Sequence, residues 1–332
     1  MSGFEHRHAG HCESGTVAAL LRHNGLDLSE PMVFGIGGGL FFLHLPLIRM
    51  GGIPLTSYRD APRAIIKNIG KRLGIRWQQH RYYRQEAGRQ ALDAFLAAGR
   101  PVGIQTSVYW LPYFPVEMRF HFNGHNLVVY GKQGDDYLIS DPVVETTVTC
   151  GSDDLQRARF AKGPFPPRGL IYYPEQVPLN PDLRPAVRDA ILTTARRMVN
   201  TPIPFLGVRG IHWLAKKMER WPEKLGIEKA RLWVGSVVRM QEEIGTGGAG
   251  FRFMYAAFLQ EAAELLRMPV LAEAGQQLTE TGDRWREFAV RGAMLCKGQG
   301  DDATAYDELA AILRDCADRE ERIFRRLKEV IR

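Results

Sequence analysis

A proline-rich segment at residues 174–185 divides the sequence into two parts with different patterns of apolar residues. The segment contains the prolines Pro174, Pro178, Pro181 and Pro185. Before it, short apolar stretches alternate with helical segments, whereas after it apolar residues recur only at helical spacing. A chain of 332 residues is also too long for one ordinary core. We therefore predict an α+β domain with an antiparallel sheet at residues 1–176, followed by an all-α domain at 182–332.

Composition and cysteine usage indicate a globular protein of a reducing compartment. The chain is 45% hydrophobic and 24% charged, and no apolar run approaches the roughly 20 residues of a membrane span. Its first residues lack the apolar core of a secretory signal. The cysteines, at positions 12, 150, 296 and 316, form neither a disulfide framework nor a zinc-type CxxC pair. We expect a cytoplasmic protein with free thiols and no membrane association.

Cys12 stands at the start of a predicted helix. Small residues follow it, then apolar residues at helical spacing, and Asn24-Gly25 supplies a helix stop. A thiol in the first turn faces unpaired backbone N–H groups and the positive end of the helix dipole, and both favour the thiolate. Because the thiolate is the nucleophile, covalent chemistry is predicted at Cys12. The alternative is that Cys12 is a small buried core residue.

A predicted hairpin more than a hundred residues later supplies partners for this thiol. One strand begins at His125, the chain turns through residues 132–135, and the returning strand ends at Asp141. Antiparallel pairing would place His125 and Asp141 side by side. A carboxylate in that position holds an imidazole in one tautomer and stabilises its cation, as in a nucleophile–base–carboxylate triad. We predict that Cys12, His125 and Asp141 are catalytic; the alternative for His125 alone is a structural histidine.

A glycine run at residues 35–39 lies inside an apolar stretch. Glycines in that setting indicate close backbone approach or positive φ rather than a flexible linker. The run is neither a Walker loop nor a dinucleotide fingerprint. We interpret Gly37, Gly38 and Gly39 as a wall of a substrate site near Cys12. A tight turn before a buried strand is the alternative.

Two further segments are candidate substrate contacts. Trp110 lies in the proline-rich aromatic stretch 109–115, which we interpret as a loop that packs on a substrate. Gly247 and Gly248 lie in a glycine-rich turn that opens a helix, where backbone N–H groups can bind an anion. The alternative for this turn is a helix stop and restart within a bundle.

The formal net charge of +7 is concentrated between residues 59 and 89. This segment has nine Lys/Arg residues against Asp60 and Glu86, so it carries +7 by itself. Such a patch attracts an acidic partner: a phosphate-bearing group, an acidic carrier protein or, ranked last for want of any binding motif, nucleic acid. The predicted docking residues are Arg63, Lys67, Lys71 and Arg72. The alternative is a solvated helix face.

These motifs, in their order along the chain, resemble those of a known family. The segment His11-Cys12-Glu13-Ser14, the glycine run at 35–39, Gly124-His125-Asn126 and Asp141-Pro142 resemble the N-terminal domain of butirosin biosynthesis protein H. The helical second half resembles the uncharacterised domain that often follows it. The resemblance implies a papain-like fold, similar to the C39 peptidases, adapted to acyl transfer. It makes Cys12 the nucleophile, His125 the base and Asp141 the orienting carboxylate.

The activity that this resemblance implies is transfer of an acyl group from a carrier-protein or CoA thioester to an amine or hydroxyl acceptor in bacterial secondary metabolism. The expected partners are an acidic acyl carrier protein or acyl-CoA and a small-molecule acceptor, with homo-oligomers allowed. The phosphopantetheine thioester arm is a substrate, and no permanently bound cofactor is expected. Papain-like enzymes place an oxyanion-hole glutamine about six residues before the cysteine, where this chain has His6. His6 and His11 are therefore both candidate oxyanion donors.

Three alternatives remain open at this point. Water in place of an amine acceptor would make the same triad a thioesterase or a peptidase, because the pocket selects the acceptor. A degenerate papain-like domain would be a non-catalytic binding protein in which the three side chains do not converge. A metal site built from His6, His8, His11 and Cys12 lacks the paired ligand spacing of zinc sites, and no metal is expected.

Overall fold

The structure is a computed structural model that describes residues 3–299 and 302–331. The chain forms two compact units, and each unit is built from two separate segments of the sequence. The first unit comprises Met1–Val33 and Ile65–Pro181. The second comprises Phe34–Ala64 and Asp182–Arg332. The predicted domains 1–176 and 182–332 therefore differ from these units in one segment, 34–64, which the structure assigns to the second unit.

The regular elements follow the chain in this order. The β-strands are β1 (Leu40–Met50), β2 (Ile53–Arg59), β3 (Arg76–His80), β4 (Val102–Thr106), β5 (His125–Gln133), β6 (Asp136–Ser140), β7 (Val148–Gly151) and β8 (Ile171–Gln176). The α-helices are α1 (Cys12–His23), α2 (Glu30–Ile36), α3 (Ala64–Leu73), α4 (Gln85–Ala97), α5 (Ser152–Arg159), α6 (Leu183–Asn200), α7 (Gly207–Met218), α8 (Trp221–Leu225), α9 (Ile227–Glu242), α10 (Arg252–Leu266), α11 (Pro269–Cys296) and α12 (Asp302–Val330).

The first unit is organised around an antiparallel sheet with the strand order β3-β8-β4-β5-β6-β7. Leu127, Val128 and Val129 of the central strand β5 are all fully buried. Because successive side chains of a strand point to opposite faces, this apolar run shows that both faces of β5 are covered. Helix α1 packs on β5, and its residues 12–21 are all buried. The sheet thus supports the helix that begins with Cys12.

The second unit joins the β1–β2 hairpin to the helices α6–α12. The rings of Phe42 on β1 and Tyr58 on β2 lie 6.2 Å and 5.5 Å from the ring of Trp285 on α11. Aromatic side chains bury much apolar area, so these contacts explain why residues 34–64 group with the helices. The sequence pattern did not indicate that residues 34–64 belong with the helices, because the helices that contact the β1–β2 hairpin lie more than a hundred residues later in the chain. No helix in residues 3–299 and 302–331 is long and apolar enough to cross a membrane.

The predicted fold class, an α+β unit with an antiparallel sheet followed in sequence by helices, is confirmed. The described part of the chain after β8 contains helices and no further β-strand. The kink between α9 and α10 requires a glycine at position 250. Gly250 has φ of 55°, and a Cβ atom at this position would lie 2.3 Å from Cδ1 of Tyr58. Only glycine satisfies both the left-handed backbone and this close approach.

A buried ion pair lies at the centre of the second unit. Arg252 and Glu320 are both fully buried and form two hydrogen bonds of 2.9 Å. The indole N–H of Trp285 donates to the same carboxylate at 2.7 Å, and a guanidinium N–H donates to the Gly250 carbonyl at 2.8 Å. The desolvated charges are therefore compensated by a complete set of partners.

Removing one partner of this pair should destabilise the second unit strongly. We expect Glu320→Ala to lower the free energy of unfolding by about 3–5 kcal/mol, because it leaves the Arg252 charge buried and uncompensated. Glu321→Ala removes the neighbouring carboxylate, which pairs with Arg325 at the surface, and should cost less than about 1 kcal/mol. Chemical denaturation of both variants measures the difference. Equal losses would show that the buried pair is not a central support.

Candidate active site

Cys12 is the first residue of α1 and is 6% exposed. His11 caps the helix with an extended backbone, and its Nδ1 lies 3.3 Å from the Ser14 N–H. Gly15, one turn into the helix, allows a close approach: a Cβ atom there would lie 2.5 Å from Cβ of Pro142. The Pro142 carbonyl also accepts a hydrogen bond of 2.6 Å from the Ala9 N–H. The segment that follows Asp141 is therefore packed directly against the first turn of α1.

His125 and Asp141 form a short, buried hydrogen bond. Nε2 of His125 lies 2.6 Å from Oδ2 of Asp141, and the two side chains are 5% and 0% exposed. The pairing of Val128 with Ser140 sets the β5–β6 register, which brings the start of β5 level with the end of β6. The predicted adjacency of an imidazole and a carboxylate across this hairpin is what the structure shows.

The charge balance around His125 favours the imidazolium. Burial alone would lower the pKa of His125, but the Asp141 carboxylate and, after it, the Cys12 side chain raise the pKa to about 10. The Cys12 side chain is close enough to His125 to contribute to this shift. Nε2 is bonded to Asp141, so Nδ1 is the ring nitrogen available to the Cys12 sulfur. The sulfur, the imidazole and the carboxylate are therefore grouped in one buried cluster, as nucleophilic catalysis requires.

Tyr113, which no sequence pattern indicated, completes the environment of Asp141. The Tyr113 hydroxyl donates to Oδ2 of Asp141 at 2.8 Å, and the Val143 N–H lies 3.2 Å from Oδ1. Burial and the Asp141 charge raise the pKa of Tyr113, so the hydroxyl stays protonated as a donor. The ring of Phe114 lies 5.6 Å from that of His125, edge-on. The aromatic stretch 109–115 pointed to this loop, although for a substrate contact.

His6 holds the segment around Asp141 in place. Its Nε2 lies 3.1 Å from the Val144 carbonyl and its Nδ1 lies 2.8 Å from the Ser140 hydroxyl. A carbonyl only accepts, so Nε2 donates to it and Nδ1 accepts from Ser140. Both ring nitrogens are thus engaged on the two sides of Asp141. The prediction of His6 as an oxyanion donor does not match this arrangement, since a donor must have an N–H directed at the substrate.

Glu30 anchors the other predicted oxyanion donor, His11. The Glu30 carboxylate accepts hydrogen bonds of 2.8 Å from the Gly10 and His11 N–H groups and of 2.9 Å from the Ser14 hydroxyl. Burial raises the pKa of Glu30, and these donors partly oppose the shift. The His11 Nδ1 lies 2.9 Å from the Ser14 hydroxyl. Glu30 therefore fixes the backbone directly before Cys12, a role that nothing in the sequence pattern indicated.

The glycine-rich segments belong to the second unit, whereas Cys12 belongs to the first. A Cβ atom at Gly39 would lie 2.4 Å from the Phe34 ring, so close packing explains that glycine. In the second turn, Thr246 Oγ1 accepts the Gly248 N–H at 3.0 Å, and the Glu242 carboxylate accepts the next N–H, from Ala249, at 3.1 Å. These N–H groups are used within the chain. Substrate contacts of Gly37, Gly38, Gly39, Gly247 and Gly248 stay predictions.

The remaining predicted contacts lie at the surface of their units. Trp110 is half-buried, and the Arg157 guanidinium lies 5.8 Å from its ring centre. Lys67 and Lys71 are exposed on α3, one turn apart and opposite the buried isoleucines of that helix. Arg72 is half-buried on the same helix, and Arg63 belongs to the second unit. Their role in docking stays a prediction.

The metal alternative built on the N-terminal histidines is not supported. Among the described residues, His212, Asp318 and Glu321 of the second unit form a cluster with ligand atoms within 4.8 Å of one another. His6 and His11 are engaged in the hydrogen bonds described above.

Two family models match the chain. Residues 153–327 match the model described as Domain of unknown function (DUF4872), and residues 11–142 match the model described as Butirosin biosynthesis protein H, N-terminal. A solved structure, described as a C39-like peptidase from Bacillus anthracis, is 15% identical and covers 54% of this chain and 98% of its own, with a TM-score of 0.37. No curated protein matches the chain.

The raised pKa of His125 predicts a pH-dependent stability. The charged imidazole stabilises the fold fully below its ordinary pKa of 6.5, and this contribution is lost as the pH rises towards about 10. We expect the free energy of unfolding to fall across this window, at most by about 1.4 kcal/mol per pH unit for one proton. Asp141→Asn removes the charge that holds the proton and should flatten the dependence. Chemical denaturation over this pH range measures the dependence in both proteins. If the free energy of unfolding changes with pH in the same way in the wild-type protein and in Asp141→Asn, Asp141 does not raise the pKa of His125.

Tyr113→Phe should weaken the support of Asp141 without changing the shape of the loop. Loss of a hydrogen bond to a buried carboxylate should cost about 1.5–3 kcal/mol of stability and slow the alkylation of Cys12. Tyr109→Phe is the matched control, because Tyr109 lies in the same loop and stacks on His121 at 4.0 Å through its ring. Denaturation and the rate of reaction with iodoacetamide measure both effects. Identical behaviour of the two variants would exclude a role for the Tyr113 hydroxyl.

Proposed function

Since this chain belongs to the family described as Domain of unknown function (DUF4872) and its residues 11–142 match the N-terminal domain of butirosin biosynthesis protein H, we propose that it is a cysteine-dependent acyltransferase of bacterial secondary metabolism. The proposed reaction takes an acyl group from a carrier-protein or CoA thioester to an amine or hydroxyl acceptor. The observation that carries the proposal is the meeting of Cys12, His125 and Asp141 in one buried cluster. A binding protein has no need of this arrangement.

In the first half-reaction, the Cys12 sulfur attacks the thioester carbonyl carbon. A C–S bond to Cys12 forms, and collapse of the tetrahedral intermediate breaks the C–S bond to the donor. The departing thiolate takes the proton of the His125 imidazolium, so the acyl-enzyme contains a neutral imidazole. A resting imidazolium suits this step, because it stabilises negative charge on the sulfur and supplies the proton that the leaving group needs.

In the second half-reaction, the acceptor attacks the acyl-enzyme. The neutral His125 accepts the proton of the incoming amine or hydroxyl, and the Cys12 sulfur leaves as a thiolate beside the restored imidazolium. Asp141 stabilises that cation and holds the imidazole through Nε2, which leaves Nδ1 for the sulfur. Tyr113 and the Val143 N–H hold the carboxylate in turn. The backbone N–H of Cys12, at the start of α1, is the proposed oxyanion donor, with His11 as a second candidate.

For a carrier-protein donor, the proposed docking surface is the basic face of α3. Lys67 and Lys71 are exposed there, and the segment that contains them carries the net positive charge of the chain. Positive charge at that surface would speed the encounter with an acidic carrier protein or with CoA. The phosphopantetheine arm is long enough to act away from the docking surface, so the docking residues need not contact the reacting atoms.

Mass spectrometry of the intact protein tests the proposed covalent step. Incubation with an acyl thioester should add one acyl mass, and Cys12→Ala should abolish the adduct. Cys296→Ala is the matched control, because Cys296 is the exposed cysteine, and this variant should still be acylated. An adduct that persists in Cys12→Ala would exclude the proposal. Added amines should convert the adduct to an amide; release of free acid at the same rate with and without amines would identify a hydrolase instead.

A further inference from the structure

A pocket of about 270 Å³ opens in the first unit, away from the triad residues. The loop after β3 and the loop between α5 and β8 form its walls. Its lining residues are Tyr82, Tyr83, Phe160, Ala161, Lys162, Gly163, Pro166 and Arg168. Three aromatic rings and two cations thus face one space, with no acidic residue among them. This is the chemistry that binds a flat ring joined to an anion.

The charge around the pocket is positive and uncompensated. Within the described residues, Lys162 and Arg168 form no ion pair, and the Arg168 guanidinium lies 6.0 Å from the Tyr83 ring. Behind the pocket, the fully buried Arg159 lies 5.7 Å from the Phe160 ring centre. Its Nη1 donates to the Gly88 carbonyl, while Nε and Nη2 have no hydrogen-bond partner in the described part of the chain. A buried cation without a carboxylate adds to the field that would attract an anion.

The loop that carries the cations holds strained backbone. Phe165 and Arg168 have φ of 51° and 52°, in the left-handed region that residues other than glycine rarely occupy. Such conformations cost free energy, and they cluster at ligand sites. Phe165 is also 62% exposed, so the strain does not serve to bury its ring. The loop is held in a shape that core packing alone does not require.

Strand register places the pocket at the same edge of the sheet as the triad. His80 at the end of β3 pairs with Ile171 at the start of β8, and Thr106 at the end of β4 pairs with His125. Strands lie about 4.8 Å apart, so two to three spacings separate the pocket loops from His125 by roughly 10–15 Å. Asn123 connects the two places, because its side chain donates to the Lys162 and Pro164 carbonyls at 3.2 Å and 2.8 Å.

We propose that this pocket binds the nucleotide end of a coenzyme A thioester, with the purine on the aromatic rings and the phosphates on Lys162 and Arg168. The proposal rests on the proposed function, and it specifies the donor as acyl-CoA. A purine stacks on tyrosine and phenylalanine rings, and phosphates form charge-assisted hydrogen bonds with lysine and arginine. The pantetheine arm would then run along the sheet edge towards Cys12. A carrier-protein donor has no purine to occupy this pocket.

Calorimetric titration of the full chain carrying Cys12→Ala tests the site without acyl transfer. CoA and adenosine 3′,5′-bisphosphate should both bind, whereas pantetheine, which lacks the ring and the phosphates, should bind at least tenfold more weakly. Lys162→Ala/Arg168→Ala should weaken CoA binding by about tenfold or more, with the larger effect at low salt. Tyr83→Ala, at a position that is 76% exposed, should weaken adenosine bisphosphate but not inorganic phosphate.

Lys216→Ala/Lys224→Ala is the matched control, since it removes two exposed charges from the second unit and should leave CoA binding within about twofold. The proposed site would be excluded if CoA did not bind. It would also be excluded if Lys162→Ala/Arg168→Ala bound CoA with the same affinity as the chain that carries only Cys12→Ala. Inorganic phosphate that binds as tightly as the bisphosphate would overturn the role of the rings. If CoA does not bind but a carrier-protein thioester acylates Cys12, this inference fails and the proposed function stands. If CoA binds and no thioester acylates Cys12, the proposed function fails instead.

Discussion

The buried carboxylate of Asp141 is the group on which the architecture of the first unit depends most directly. A fully buried charge is costly unless several donors compensate it, and Asp141 has an imidazole, a phenol and a backbone N–H. The imidazole and the phenol come from two other segments of the chain, so the fold must deliver both of them. The residues on either side of Asp141 are also held, Ser140 by His6 and Pro142 by the turn before α1. The carboxylate thus connects the N-terminal segment, the aromatic loop and the sheet.

The two units illustrate different uses of a buried charge. Arg252 and Glu320 satisfy each other in a closed set of hydrogen bonds, with the Trp285 indole as a further donor. At His125 and Asp141 the set is open, because the carboxylate occupies only one of the two imidazole nitrogens. A closed pair resists any change of protonation, whereas an imidazole with a second nitrogen can exchange a proton with another group. The difference explains why only the second arrangement suits chemistry.

Sequence alone predicted the parts of the site that depend on local patterns. The helix start at Cys12 and the hairpin between His125 and Asp141 both follow from periodicity and turn residues, and the structure has both elements. The sequence did not predict Glu30, the Tyr113 hydrogen bond or the place of segment 34–64. Each of these depends on contacts between residues far apart in the chain, which leave no periodic trace. For His6, the position before Cys12 suggested an oxyanion donor. Its ring nitrogens are instead engaged by Ser140 and Val144.

The antiparallel topology explains how one edge of the sheet can carry several functions without weakening the core. The ends of β4 and β6 and the starts of β5 and β8 all lie at this edge, so the loops that leave them are neighbours. The buried side chains of β4 and β5 keep the strands in register whatever these loops contain. Strained and aromatic residues therefore accumulate in the loops, where they disturb no strand pairing. Functional side chains from distant parts of the sequence can meet there because the strands, rather than the loops, determine where each loop begins.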